Sequence, residues 1–144
     1  MIIRHYRSED YPQVIKLWKQ TGIFREERGD TAESIDRCNT LGGKLLILED
    51  PRQPAITGTS WMTYDGRRVH LHHFTIRPDL QGQGWGRALA MESLKLALEY
   101  GCPVKLEVHR DNQRAIRLYT KLGFKQIQGY HVYLNINPAE ISNT

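Results

Sequence analysis

The hydrophobic period of this chain switches once, from two to about 3.6, across a glycine-rich turn in its middle. Upstream of the switch, residues 44–48, 56–64 and 68–76 read as strands. The last two are joined by Asp65-Gly66, a hairpin dipeptide flanked by alternating residues. Downstream, Leu89, Ala90, Leu94, Ala97 and Leu98 recur at helical spacing until Tyr100-Gly101, and Pro103 forbids continuation. A three-strand meander feeding a long amphipathic helix demands a sheet with helices packed on it, which excludes all-α and all-β architectures.

The flanks extend the pattern. Residues 2–7 alternate as a short strand, and Ser8 is the expected N-cap of a helix carrying Tyr11, Val14, Ile15, Leu17 and Trp18 inward and stopping at Gly22. Residues 31–41 predict a second helix, capped by Thr31 and ended by Gly42-Gly43, after an irregular charged stretch over 23–30. Residues 104–108 predict a strand and 112–122 a helix with Ala115, Ile116, Leu118, Tyr119 and Leu122 inward. Residues 125–134 are expected to add one or two closing strands. The fold class expected is α/β (α+β): one domain over residues 1–144, a central mixed β-sheet of six to seven strands, about four helices, and a polar tail over 138–144.

A chain of 144 residues with 40% hydrophobic and 25% charged residues can build one real core. It contains no apolar run near the roughly 20 residues of a membrane span, and residues 1–10 alternate apolar with charged residues instead of forming a signal-peptide core. A cytoplasmic location without membrane partners is the expectation. Cys38 and Cys102 have no CxxC or CxxH neighbour, so they read as ordinary buried thiols, and no metal is expected. Twenty Lys and Arg against 16 Asp and Glu give +4, a balance suited to an anionic ligand. With no aromatic-basic platform and no arginine-loaded recognition helix, nucleic acid is not an expected partner.

Between the third strand of the meander and the long helix lies Gln81-Gly82-Gln83-Gly84-Trp85-Gly86-Arg87. Backbone N–H groups at such a helix start can face an anion, helped by the helix dipole, and glycines let a phosphate approach the backbone. A dinucleotide fingerprint fits poorly: the glycines read G-x-G-x-G, Arg87 stands where the third glycine belongs, and five residues separate Ile76 from Gly82, although Glu107 lies about 20 positions on. A P-loop fails outright, since Gly43-Lys44 is followed by Leu45.

The run from Ile76-Arg77-Pro78 through Gln81, Gly84 and Gly86 resembles the acetyl-CoA signature Q/R-x-x-G-x-G/A of the GNAT superfamily of N-acetyltransferases. Leu106-Glu107-Val108, Asn112, Ala115, Tyr119 and Leu122-Gly123-Phe124 resemble the C-terminal block of the same family. The resemblance implies acetyl-CoA as co-substrate and an amine acceptor. It assigns Gln81, Gly82, Gln83, Gly84, Trp85, Gly86 and Arg87 to the CoA pyrophosphate. Main-chain groups of Phe74, Thr75 and Ile76 would pair with the pantetheine arm, and Asn112 would reach the same arm. Arg77, Arg87, Arg110, Arg114 and Arg117 are nearby cations. Family habit and exposed sheet edges are compatible with a homodimer.

The resemblance also assigns Tyr119 as the acid that protonates the departing thiolate, a role that a phenol of pKa about 10 can fill. Glu107 is the base candidate. It shares a strand face with Lys105, and on a central strand covered on both sides a carboxylate needs a reason. Ribosomal-protein alanine N-acetyltransferases carry a similar Glu-to-Tyr spacing. His72 and His73 are alternative bases because histidine titrates near neutrality. His70 and His72 share a strand face, but no further ligand completes a metal set. The function expected is acetyl transfer from acetyl-CoA to a primary amine, on a small molecule or a protein N-terminus or lysine, by direct attack in a ternary complex. The alternative is a non-catalytic CoA-binding or regulatory module.

Overall fold

Five strands lie side by side in chain order: β1 (Ile2–His5), β2 (Lys44–Asp50), β3 (Gln53–Tyr64), β4 (Val69–Ile76) and β5 (Val104–Leu106). The first four are antiparallel, and β5 runs parallel to β4. The computed structural model describes residues 1–140. Four helices accompany the sheet, α1 (Tyr11–Gln20), α2 (Ala32–Thr40), α3 (Trp85–Tyr100) and α4 (Gln113–Lys121). Among the described residues, no helix is long and apolar enough to cross a membrane.

The alternation along β2 sorts the core into two layers. Leu45 and Ile47 join Val14, Leu17, Trp18, Ile35 and Trp61 beneath α1 and α2. Leu46 and Leu48 join Met62, Leu71, Leu89, Leu96 and Tyr119 on the α3 side. Both faces of the strand are therefore buried, and its apolar residues run continuously. Trp18 is fully buried, and its Nε1–H donates to Thr59 Oγ1 at 2.8 Å, so the indole leaves no polar atom unpaired. Ser93 Oγ–H, equally buried, lies 2.7 Å from both Ser60 Oγ and the Leu89 carbonyl, tying α3 to β3.

Three expectations are corrected. The sheet has five strands, fewer than six to seven, because residues 125–134 form no strand: that stretch is exposed throughout, including Ile127, Tyr130, Val132 and Tyr133. A ladder of that length needs a partner, and the nearest strand in sequence, β5, is three residues long. Ser8 does not cap α1. It opens a single 3₁₀ turn whose Asp10 accepts from the Arg7 N–H at 2.8 Å, while Arg4 binds both Asp10 oxygens at 2.8 Å and reaches Glu49 on β2 at 2.6 Å. A charged fork of this kind fixes a turn more firmly than one serine hydroxyl. Finally, β5 stops at Leu106 and forms one end of the strand order, so it is not a central strand. Pro138–Glu140 make a short exposed turn, and the rest of the expected tail, 141–144, lies outside the described residues.

Candidate active site

The two edges of β4 are treated differently by its neighbours. Toward β3 it pairs along its length, interrupted by a bulge: Trp61 faces His72 and Thr59 faces Thr75, so Ser60 stands opposite both His73 and Phe74. Toward β5 only Val69, His70 and Leu71 are paired, with Val104, Lys105 and Leu106. From His72 to Ile76 that edge has no strand partner among the described residues. Unpaired N–H and C=O groups along a strand accept an extended ligand as they would another strand, and Phe74, Thr75 and Ile76 lie on this stretch.

Where β4 ends, the glycine loop begins. Gln81 Nε2 donates to the Ile76 carbonyl at 2.9 Å, which fastens the loop to the strand end. Gly82 and Gly84 have φ of +78° and +85°, and Gly84 is the N-cap of α3. A glycine cannot cap with a side chain, so the first N–H groups of α3 have no such partner. A Cβ at Gly84 would meet nothing within 4 Å, and one at Gly82 would meet only the Arg114 guanidinium at 3.6 Å. The space before the helix start is therefore open, lined by backbone donors and one cation. Gln83 donates to the Asp79 carbonyl at 3.3 Å, Trp85 packs on the core, and a Cβ on Gly86 would lie 3.7 Å from Leu118 of α4. Arg87, Arg110 and Arg117 are exposed beyond the loop. Arg77 is not free for an anion: it holds Asp79 at 2.6 Å and Gln53 at 2.9 Å.

Tyr119 lies beside this edge. Its ring meets Phe74 edge-on at 5.9 Å and Phe124 at 5.6 Å, with 7% of the residue exposed. Burial pushes the phenol well above its ordinary pKa of 10, so it stays protonated across the neutral range. Its hydroxyl makes no hydrogen bond among the described residues, yet no side-chain oxygen there is both fully buried and unpartnered. The hydroxyl therefore keeps access to open space. Asn112 caps α4, its Oδ1 accepting from the Ala115 N–H at 3.2 Å.

Glu107 is exposed, just past the end of β5, without an ion pair or hydrogen bond among the described residues. The premise of an enclosed central strand does not hold, and an exposed carboxylate at an edge needs no special reason.

The three histidines have separate partners. His70 Nε2 lies 3.0 Å from Asp65 Oδ2, and this bond, with the Arg67 and Arg68 N–H groups, holds the Asp65 carboxyl well below its usual range. His72 Nε2 lies 2.9 Å from Thr63 Oγ1. The ring keeps solvent contact, but the protein packed around it, then His73 and His70, push its pKa down to about 4. His73 occupies the bulge at φ +44°, a left-handed backbone rare for histidine. Thr59 Oγ1–H donates to its carbonyl at 2.8 Å, and its Nε2 meets Asp30 Oδ2 at 2.8 Å. Asp30 is 2% exposed and also accepts the Arg25 N–H at 2.6 Å. The His73 ring is enclosed by Trp18 at 4.4 Å and Trp61 at 5.4 Å between centroids. In a neutral ring, a carboxylate accepting at Nε2 leaves the lone pair on Nδ1. Sequence reasoning missed Asp30, which preceded the Thr31 cap and carried no signal of its distant partner. Among the described residues, no group of three His, Cys, Asp or Glu gathers to hold a metal.

A sequence model described as the acetyltransferase (GNAT) family matches residues 5–124. This chain belongs to the GNAT family. Solved structures share the fold. The ribosomal-protein-S18-alanine N-acetyltransferase of Escherichia coli superposes with a TM-score of 0.73 at 21% identity, covering 88% of this chain and 79% of that one. A GNAT acetyltransferase from Staphylococcus aureus gives 0.76 at 19%, covering 88% and 84%. AAC(6')-Iy, solved with the bisubstrate analogue CoA-S-monomethyl-acetylneamine, gives 0.74 at 14%, covering 93% and 97%. This GNAT protein is thus an acyltransferase, and its acyl donor is acetyl-CoA. The uncapped helix start, the space before Gly84 and the unpaired edge of β4 suit a pyrophosphate joined to an extended amide arm.

Proposed function

We propose that this GNAT enzyme moves the acetyl group of acetyl-CoA to a primary amine by direct attack while both are bound. The observation that carries the proposal is the unpaired edge of β4 from His72 to Ile76, running into a glycine loop at an uncapped helix start. Residues 81–87 hold the pyrophosphate, with Arg114 the nearest cation. Phe74, Thr75 and Ile76 pair with the pantetheine amides, and the Asn112 side-chain NH2, which donates to nothing among the described residues, reaches the same arm. Acetyl-CoA supplies an activated acyl thioester.

The protons are handled on either side of β4. As the amine nitrogen bonds to the acetyl carbon and the C–S bond breaks, Tyr119 gives its phenolic proton to the departing sulfur. His73 takes the surplus proton of the amine at Nδ1, with Asp30 fixing the tautomer and stabilising the imidazolium, the role a buried aspartate plays in a hydrolase triad. His73 is preferred over Glu107 because it is held by a buried carboxylate beside the open edge, whereas Glu107 has no partner among the described residues.

Calorimetric titration with acetyl-CoA, against NADH and ATP controls, tests the cofactor without the acceptor. Selective binding near 1 μM, about −8 kcal/mol, is expected, followed by amine-dependent release of free CoA thiol. Tighter binding of NADH than acetyl-CoA would overturn the proposal.

A further inference from the structure

On the α1/α2 face of the sheet, a groove of about 290 Å³ opens between α2 and β3, lined by Arg28, Arg37, Cys38, Leu41, Trp61 and Tyr64 among others. It adjoins the histidines. The Trp61 ring in its wall is 5.4 Å from His73 and 6.5 Å from His72, and Thr63, also in the lining, bonds His72 at 2.9 Å. Tyr119 belongs to the opposite core layer, so a molecule in this groove and the phenol stand on different faces of the sheet.

We propose that this groove seats the acceptor, and that the acceptor is a small primary amine bearing a carboxylate or phosphate on an apolar body. The inference rests on the acetyl-transfer reading above. Charge carries it. Arg28 and Arg37 both line the groove, no acidic residue does, and neither guanidinium has an ion pair or side-chain hydrogen bond among the described residues. Both residues are exposed, as are other arginines without an ion pair among the described residues, such as Arg87 and Arg117; what sets this pair apart is that the two line one groove beside an apolar wall. Burial pushes the Cys38 thiol up, so it adds no negative charge. Two unpaired guanidiniums beside apolar walls are suited to an oxyanion.

Size and floor narrow the class. The groove is open on one side and about 290 Å³ in volume, room for one compact molecule. Leu41, Trp61 and Tyr64 give it an apolar surface, and Tyr64 is stiffened by stacking on Tyr100 at 4.1 Å. The same charges orient the ligand: the guanidiniums attract its acid and repel its ammonium, turning the nitrogen toward the Asp30–His73 pair.

The test uses acetylated amines, which report on groove binding without turnover, titrated by calorimetry into the CoA-loaded protein. N-acetyl-L-phenylalanine is compared with N-(2-phenylethyl)acetamide, and acetylated O-phosphoethanolamine with acetylated ethanolamine, so the two arms separate carboxylate from phosphate. At least one acid is expected to bind tenfold or more tighter than its neutral counterpart. Arg28→Ala and Arg37→Ala should each remove most of that preference while leaving acetyl-CoA binding unchanged. In turnover, the same variants should raise KM for the acidic amine and spare kcat. Equal binding within both pairs, no binding of either acid, or a preference that survives both substitutions overturns the inference. The acetyl-CoA titration on the same sample reports separately on the acetyl-transfer reading.

Discussion

Asp30 and His73, 43 positions apart, meet at 2.8 Å, joining the loop before α2 to the bulge of β4. Each end is restrained: Asp30 by the Arg25 N–H and by burial, His73 by the Thr59 hydroxyl on its carbonyl and by two indole rings. A left-handed histidine costs of order 1–3 kcal/mol and persists only where its surroundings over-determine it. That strain is offset where the ring is delivered beside the unpaired edge of β4.

Asp30→Asn keeps the shape and removes the charge. If His73 takes the amine proton, kcat should fall about 100-fold or more, because a positioned base supplies 10²–10⁴. Acetyl-CoA affinity, which depends on the far face, should stay within about twofold. A variant turning over within threefold of the parent would shift the role to Glu107, where Glu107→Gln would then carry the loss.

Tyr119→Phe is expected to lower kcat by about 100-fold with acetyl-CoA affinity nearly unchanged, since the hydroxyl bonds nothing among the described residues and the ring packing is kept. The phenol sits above its ordinary 10, so the pH–rate profile should show no descending limb below about pH 10 from this group. A descending limb near pH 8 that vanishes in the phenylalanine variant would contradict that assignment.

The local rules were readable wherever the structure obeys them locally. Thr31 caps α2 by accepting the Ser34 N–H at 3.2 Å, the Asp65-Gly66 hairpin closes through a 3.2 Å bond from the Asp65 N–H to the Arg68 carbonyl, and Gly101 ends α3 in the left-handed region. What failed depended on neighbours that no local pattern encodes. Alternation over residues 104–108 cannot say whether a strand is central or terminal, and this one is terminal and shorter. Alternation over 125–134 cannot supply a partner strand. Around His73, no glycine marks the bulge, so the face it presents was not legible, and Asp30 resembled an ordinary residue before a helix cap.

Gly84→Val tests the loop. At φ +85° a β-branched residue is strained by at least about 1–2 kcal/mol, and its side chain would stand in the space before α3. Thermal unfolding should shift down by a few degrees, and the acetyl-CoA Kd should rise by tenfold or more. A Kd unchanged in a folded variant would remove the helix start from pyrophosphate binding.

His72 makes acid sensitivity testable. Its folded pKa of about 4 lies below its ordinary 6.5, so between these values the unfolded chain binds a proton that the folded one does not. Stability is therefore lost as pH falls from 6.5 toward 4 and is unaffected by this group above 6.5. Thr63 and the neighbouring His70, His73 and Asp30 are the polar and charged groups around it, and only Asp30 pulls the pKa upward. Asp10 is held low by Arg4, so its contribution is lost only below the ordinary carboxylate value of 3.8, outside this window. His72→Gln should flatten the decline in urea midpoint between pH 6.5 and 4, with the two proteins converging in slope above pH 7. An identical acid slope in both would mean that His72 titrates in the folded protein as it does in the unfolded chain.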